Sequence, residues 1–147
     1  MKEKPPHSDN PSADTALHEQ ISAFMRSLSH LKRQLQDSSQ IGTSRTSPQA
    51  QHQPKADISL SQALLALQNQ FQAIVSSASQ ADIDPKAEQS LMSYQTEAHR
   101  RLRLLQVEAM RLQTARQPET IERVRSQIGE HLNQVQQFAQ AMMREVA

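Results

Sequence analysis

The chain contains four stretches in which large apolar residues recur every three or four positions. Because an α-helix has about 3.6 residues per turn, this spacing places each set on one face of an amphipathic helix. The longest stretch runs without interruption from Pro85 to Arg116, after Asp84, a preferred N-cap residue, and before Pro118, which disfavours helical geometry in the residue that precedes it. A helix of that length extends roughly 48 Å, so other helices must cover its apolar face.

Each predicted helix has its own stripe of core residues, and Leu65 and Val75 are expected to widen the second. Arg125 is the one charged residue within a stripe. The stripes consist of Leu17, Ile21, Phe24, Leu28, Leu31 and Leu35; of Leu60, Leu64, Leu67, Phe71, Ile74 and Ala78; of Ala87, Leu91, Tyr94, Ala98, Leu102, Leu105, Ala109 and Leu112; and of Ile121, Arg125, Ile128, Leu132, Val135, Ala139, Met142 and Val146.

The helix boundaries follow from the same pattern and from the residues between the stripes. Ser59 and Gln62 fit a capping box at the start of the second helix. Residues 1–11 are charged and rich in proline, which predicts a disordered tail, and residues 37–56 are rich in Ser, Thr, Gln and Pro, which predicts a flexible linker. The remainder, 12–147, is expected to form a single domain with helices at about 14–36, 59–79, 85–116 and 118–145.

Four helices with one apolar face each predict an all-α protein, most simply an antiparallel four-helix bundle in up-down-up-down order. Two alternatives stay open. The core can consist of the last three helices, with the first attached weakly or packed in another subunit. The near-regular spacing of three and four residues also permits a coiled-coil homodimer.

The composition contains little that supports catalysis. The chain has no cysteine and two glycines, so it lacks cysteine-based metal sites and glycine-rich phosphate loops. No Glu-x-x-His motif of the di-iron bundles and no zinc motif is present. We therefore expect no enzyme activity, cofactor or metal. Gly129, inside the last predicted helix, is interpreted as close helix packing or simple tolerance rather than a binding or hinge role.

The charge and hydropathy of the chain suggest where it acts. The net charge of +1 predicts no bulk attraction to nucleic acid. No apolar run reaches the ~18–20 residues that span a bilayer, and the first residues lack the apolar core of a secretory signal. The expectation is a cytoplasmic protein without membrane insertion.

Two predicted surface features are candidates for a binding role: a cluster of arginines and an outward face of the third helix that carries apolar residues. Residues 100–125 hold seven arginines and three glutamates, an excess of four positive charges. One interpretation is a solvent-exposed helix face stabilised by ion pairs such as Glu97–Arg101 and Glu119–Arg123. The other is a surface that binds an acidic partner. Opposite the core stripe of the third helix, Met, Val and Arg side chains and His99 form an adaptable face that a partner, the first helix or a second subunit could cover. The predicted partner-binding residues are Met92, Arg100, Arg103, Val107, Met110, Arg111 and Arg116.

The segment from residue 93 to residue 120 also supports a family resemblance. It contains Ser93-Tyr94-Gln95-Thr96-Glu97, Arg101-Leu102-Arg103-Leu104-Leu105, Leu112-Gln113 and Ala115-Arg116-Gln117-Pro118. In these residues the chain resembles the cyanobacterial PatD family, which is named for the control of heterocyst frequency. A weaker likeness of pattern extends over the second and fourth helices, and none extends over the linker or the N-terminal residues.

The resemblance implies a small cytoplasmic helical protein that modulates cell division by binding the tubulin-like protein FtsZ. In filamentous species it further implies an effect on heterocyst differentiation. It assigns no FtsZ contact to particular residues. The alternative is a structural adaptor or a homo-oligomeric helical bundle with another protein partner.

Overall fold

The computed structural model describes the backbone of residues 10–44 and 53–146 and the side chains of residues 14–37 and 60–146. In these parts the chain is all-α. It forms the four helices α1 (Asn10–Ser44), α2 (Gln53–Gln80), α3 (Pro85–Thr114) and α4 (Pro118–Val146).

The helix ends differ from the predicted ones most around the expected linker. α1 continues to Ser44, and α2 begins at Gln53, before the predicted capping box. Glutamine and serine are tolerated inside a helix, so polar composition alone does not end one. Residues 45–52 of the predicted linker and 1–9 of the predicted tail lie outside the described residues.

The four helices form a bundle in which α1 packs against α2 and α4, and α3 packs against α2 and α4. Within the described helices, no Cα atom of α1 lies within 8 Å of one in α3, and the same holds for α2 and α4, so these pairs lie diagonally across the bundle. Short segments, residues 81–84 and 115–117, connect the last three helices. Because α1 packs against α2 and α4 of its own chain, the structure gives no support to the alternative in which the first helix packs in another subunit.

Side-chain contacts across three pairs of helices indicate how the helices are aligned. Gln113, near the end of α3, donates to the hydroxyl of Ser61, near the start of α2, at 3.3 Å. Gln136 of α4 lies 2.9 Å from Ser29 and 3.1 Å from Lys32 of α1. Arg101 and His131 meet across the α3–α4 pair. These pairings are what an antiparallel order would produce, and that order stays a prediction for the whole bundle.

The predicted stripes form the core. The first is buried from Leu17 to Leu31, and the second is buried along its whole length. The third is buried from Ala98 to Leu112 and half-buried at Ala87 and Tyr94. The fourth is buried at its centre and half-buried toward both ends. The prediction for Leu65 is wrong, because this side chain is 54% exposed. It follows Leu64 by one residue and is therefore rotated by about 100° away from the stripe.

The two ends of α3 show how the sequence limits this helix. At its start, the carboxylate of Asp84 accepts hydrogen bonds from the backbone N–H groups of Lys86 and Ala87, and Pro85 occupies the first turn. This confirms the predicted N-cap. At its end, Ala115 adopts an extended conformation, so α3 stops at Thr114 rather than at the predicted Arg116.

Candidate protein-binding surface

The seven residues predicted to bind a partner are all exposed. Six of them lie on α3, and Arg116 lies in the segment between α3 and α4. The exposed fraction is 59% for Met92, 51% for Val107 and 64% for Met110, which is high for apolar side chains. Since α1 does not contact α3, the first helix does not cover them.

The exposed apolar surface includes two residues that the sequence interpretation did not assign to a partner-binding surface. Leu104 and Leu65 are both exposed, Leu104 on α3 and Leu65 on the adjacent α2. The Gln113–Ser61 hydrogen bond lies one turn from Met110 on α3 and one turn from Leu65 on α2. Leu65 and Met110 therefore occupy the same level of neighbouring helices. A helical projection of Leu65 against its own stripe would have shown its outward position.

We define the α3 face as the outward residues Arg100, Arg103, Leu104, Val107, Met110 and Arg111. Arg100 and Arg111 lie ~16 Å apart along the helix axis at 1.5 Å per residue. Along this length the three apolar residues follow one another, with two arginines before them and one after them. Large apolar residues with Arg around them are typical of protein-binding patches, whereas the rest of a surface favours Lys and Glu.

The arginines of this region are little neutralised within the chain. Among the described residues, Arg111 forms an ion pair with Glu108 at 3.4 Å, and Arg100, Arg103, Arg116 and Arg123 form none. The predicted pairs Glu97–Arg101 and Glu119–Arg123 are not formed in this part of the chain. The structure therefore gives no support to the interpretation that internal pairing explains the cluster.

His99 has a different neighbour from the one its outward position suggested. Its ring stacks on the buried ring of Phe71 of α2, with centroids 6.2 Å apart. The imidazole thus covers the edge of the core between α2 and α3 instead of extending the partner-binding patch.

A polar seam runs along the α3–α4 interface, and the sequence interpretation did not find it. Glu108 is only 8% exposed, and its Oε1 atom is buried without a hydrogen-bond partner among the described residues. Arg101 donates to Nδ1 of His131 at 3.4 Å. Burial lowers the pKa of His131 from its ordinary 6.5, and the charge of Arg101 lowers it further. Glu108 lies on the flank of α3 rather than in its stripe, and only the position of α4 reveals that this flank is covered.

At one end of this seam a cleft of about 470 Å³ opens between the end of α3 and the start of α4. The walls carry two guanidinium groups and several uncharged hydrogen-bonding groups. The lining residues are Arg111, Thr114, Ala115, Thr120, Arg123, Val124 and Gln127.

The residues that the structure describes form no group of three or more His, Asp or Glu side chains that could hold a metal ion. None of the described helices combines the length and apolar character needed to cross a membrane. Comparison with protein-family models, with curated proteins and with solved structures finds no match.

Proposed function

We propose that this chain is a non-enzymatic regulatory protein that acts by binding another protein through the α3 face. The observation that carries the proposal is the coincidence, on one uncovered helix face, of exposed apolar side chains and exposed arginines, of which Arg100 and Arg103 form no ion pair among the described residues. Apolar side chains gain from removal from water on association, at roughly 25 cal/mol per Å² of area. The arginines supply charge and hydrogen-bond donors around them.

We propose FtsZ as the partner. Binding to FtsZ requires that the chain be located in the cytoplasm. The support is the resemblance of residues 93–120 to the PatD family, a segment that includes the whole α3 face. In this proposal, binding modulates cell division and, in filamentous species, heterocyst frequency. The positive face requires a negatively charged surface on the partner, which speeds association more than it strengthens the final complex.

The alternative function is a structural adaptor or a homo-oligomeric bundle. A homodimer that used the α3 face would bury Met110, Val107 and Leu104 against a second copy. It would also bring Arg100, Arg103 and Arg111 of the two copies together, and like charges at an interface are unfavourable. The charge of the face thus favours an acidic partner over a second copy.

Co-sedimentation with assembling FtsZ tests the proposal. We expect the chain to pellet with FtsZ polymers, and we expect the double variant Arg100→Glu/Arg103→Glu to lose about tenfold or more in affinity through charge repulsion. The double variant Val107→Ala/Met110→Ala should also bind more weakly while unfolding like the parent protein, because these side chains are already exposed.

The matched control is Arg26→Glu/Arg33→Glu, which makes the same charge change at two exposed positions of α1. This variant should pellet like the parent protein. Equal pelleting of the Arg100/Arg103 and Arg26/Arg33 variants would remove the α3 face from the proposal. If the parent protein does not pellet and has a dimeric mass by light scattering, the homo-oligomer takes precedence.

A further inference from the structure

The cleft between the end of α3 and the start of α4 has the composition of an anion-binding site. Arg111 stands on one wall and Arg123 on the other, with the hydroxyl of Thr120 and the amide of Gln127 around them. The hydroxyl of Thr114 also lines the cleft, but it donates to the carbonyl of Arg111 at 3.2 Å. No acidic side chain of the described chain lines the cleft. Guanidinium groups bind oxyanions through two parallel hydrogen bonds, which gives both strength and orientation.

The Arg111–Glu108 pair shows that a carboxylate can reach this guanidinium but does not occupy it fully. Nη1 of Arg111 and Oε2 of Glu108 are 3.4 Å apart, longer than the ~2.7–2.9 Å of a strong charge-assisted hydrogen bond. The Arg111 side chain is 62% exposed, so its other donors are open to solvent. A second carboxylate, arriving from outside, can therefore bind Arg111 without displacing Glu108.

The local charge selects the class of anion. Arg111 and Arg123 together with Glu108 carry one net positive charge, which matches a monoanion. Glu119, in the first turn of α4, and Glu122, in the turn that follows, are exposed and add further negative charge nearby. A carboxylate brings the summed charge of Arg111, Arg123 and Glu108 to zero, whereas a phosphate dianion makes it negative. The additional charges of Glu119 and Glu122 oppose a dianion more strongly than a monoanion.

We propose that this cleft binds a carboxylate group of the protein that docks on the α3 face. This inference rests on the proposed function, and it specifies that function by naming the chemistry of the partner: an acidic peptide segment. Arg111 is one turn of helix beyond Val107, a distance of ~6 Å along the axis, so it belongs to the α3 face and to the cleft at once. A segment that lies over Val107 and Met110 and continues past the end of α3 places an Asp or Glu side chain between Arg111 and Arg123.

The test uses the uniformly ¹⁵N-labelled full chain and a small probe instead of FtsZ. The probe is a capped Glu-Glu dipeptide, and the capped Gln-Gln dipeptide is its uncharged counterpart. We expect the Glu-Glu probe to shift the amide resonances of residues 111–127 with saturation, and the Gln-Gln probe to leave them unchanged. Arg111→Gln and Arg123→Gln should each weaken binding by about two- to fivefold, the range of a solvent-exposed ion pair, and Arg33→Gln should not.

A third variant is expected to strengthen probe binding, an effect that a general disturbance of the structure would not produce. Glu108→Gln removes the negative charge beside Arg111 that repels an incoming carboxylate, so it should strengthen binding of the Glu-Glu probe. Weaker or unchanged binding in this variant would contradict the proposal. Equal shifts with the Gln-Gln probe, or shifts spread over arginines throughout the chain, would overturn it as well.

Inorganic phosphate distinguishes the two sources of an oxyanion. If phosphate shifts the same amides at lower concentration than the Glu-Glu probe, the cleft is a phosphate site and the peptide assignment is wrong. FtsZ is absent from this assay, so the two proposals can fail separately. If the probe binds but the chain does not co-sediment with FtsZ, the cleft is still a carboxylate site and FtsZ is not the partner. If the chain co-sediments with FtsZ and neither Arg111→Gln nor Arg123→Gln changes this, FtsZ binds the α3 face without using the cleft.

Discussion

Arg101 of α3 and His131 of α4 lie 3.4 Å apart and connect the two helices through their side chains. A guanidinium has donors only, so Nδ1 of His131 must accept and carry no proton. Burial lowers the pKa of His131 below its ordinary 6.5, and Arg101 lowers it further, while Glu108 and Glu130 act in the opposite direction. Protonation of this histidine is therefore unfavourable in the folded protein.

This relationship predicts a specific loss of stability in mild acid. Because the pKa of His131 is lower in the folded than in the unfolded protein, the unfolded chain binds more protons, and the free energy of unfolding falls as the pH decreases. The contribution is fully present above the unfolded value of about 6.5 and is lost progressively below it, toward the lowered folded value. Urea unfolding at pH 7.5 and at pH 5 measures it.

The control for this prediction is His131→Gln, which keeps an acceptor for Arg101 and does not titrate. The pH dependence of its unfolding should be shallower than that of the parent protein, since all other titrating groups are shared. Parallel pH profiles for the two proteins would show that His131 is not the cause. The NMR titration of the His131 ring gives its pKa directly, and Arg101→Gln should raise that pKa.

The fold could be predicted from the sequence because the period of its apolar residues is a local property. Leu17 to Leu31 and Leu60 to Ala78 follow a helical period without a gap, and these stripes are buried. Helix ends were harder to predict. α1 runs into the predicted linker because Ser and Gln do not stop a helix, whereas the Asp84-Pro85 start of α3 was found because both residues have a defined role at a helix N-terminus.

The candidate site could be predicted only in part. The spacing of apolar residues shows in which direction each residue projects from its own helix, but it does not show which other helix packs on that side. Met92, Val107 and Met110 were recognisable as outward residues from their angle alone. Glu108 lies ~60° from Leu105 around the helix, a flank that is exposed or buried according to the helix beside it. Its burial against α4, and the cleft next to it, arise from tertiary packing between residues distant in sequence.

The packing of α1 on the rest of the bundle predicts a large effect of Phe24→Ala. The rings of Phe24 and Phe71 are buried, with centroids 5.9 Å apart, and they join α1 to α2. Truncation leaves a cavity and should cost ~3–5 kcal/mol of unfolding free energy. Chemical unfolding followed by circular dichroism measures this cost, and Val107→Ala, at an exposed position, should change it by less than ~0.5 kcal/mol. A small cost for Phe24→Ala would mean that α1 contributes little to the folded core.

The N-cap of α3 predicts a difference between two substitutions at one position. Asp84→Ala removes the acceptor of the Lys86 and Ala87 N–H groups and should cost ~1 kcal/mol. Asp84→Asn keeps a side-chain oxygen in the same place and should cost much less. Thermal unfolding of both variants checks the difference. Equal losses would indicate that the charge of Asp84 at the helix N-terminus matters more than its hydrogen bonds.

The surroundings of Gly129 indicate that replacing this glycine by alanine stabilises the protein. The glycine lies inside α4 beside the α1–α4 groove, and a Cβ atom added there would meet no atom within 4 Å. Close packing therefore does not require glycine at this position. Alanine restricts the unfolded chain and favours the helix, so Gly129→Ala should raise the unfolding free energy by ~0.5–1 kcal/mol. Denaturant unfolding measures the gain, and binding at the α3 face should be unaffected because Gly129 lies on the α1 side of α4. A stability loss would show that α1 approaches α4 more closely in solution than this packing allows.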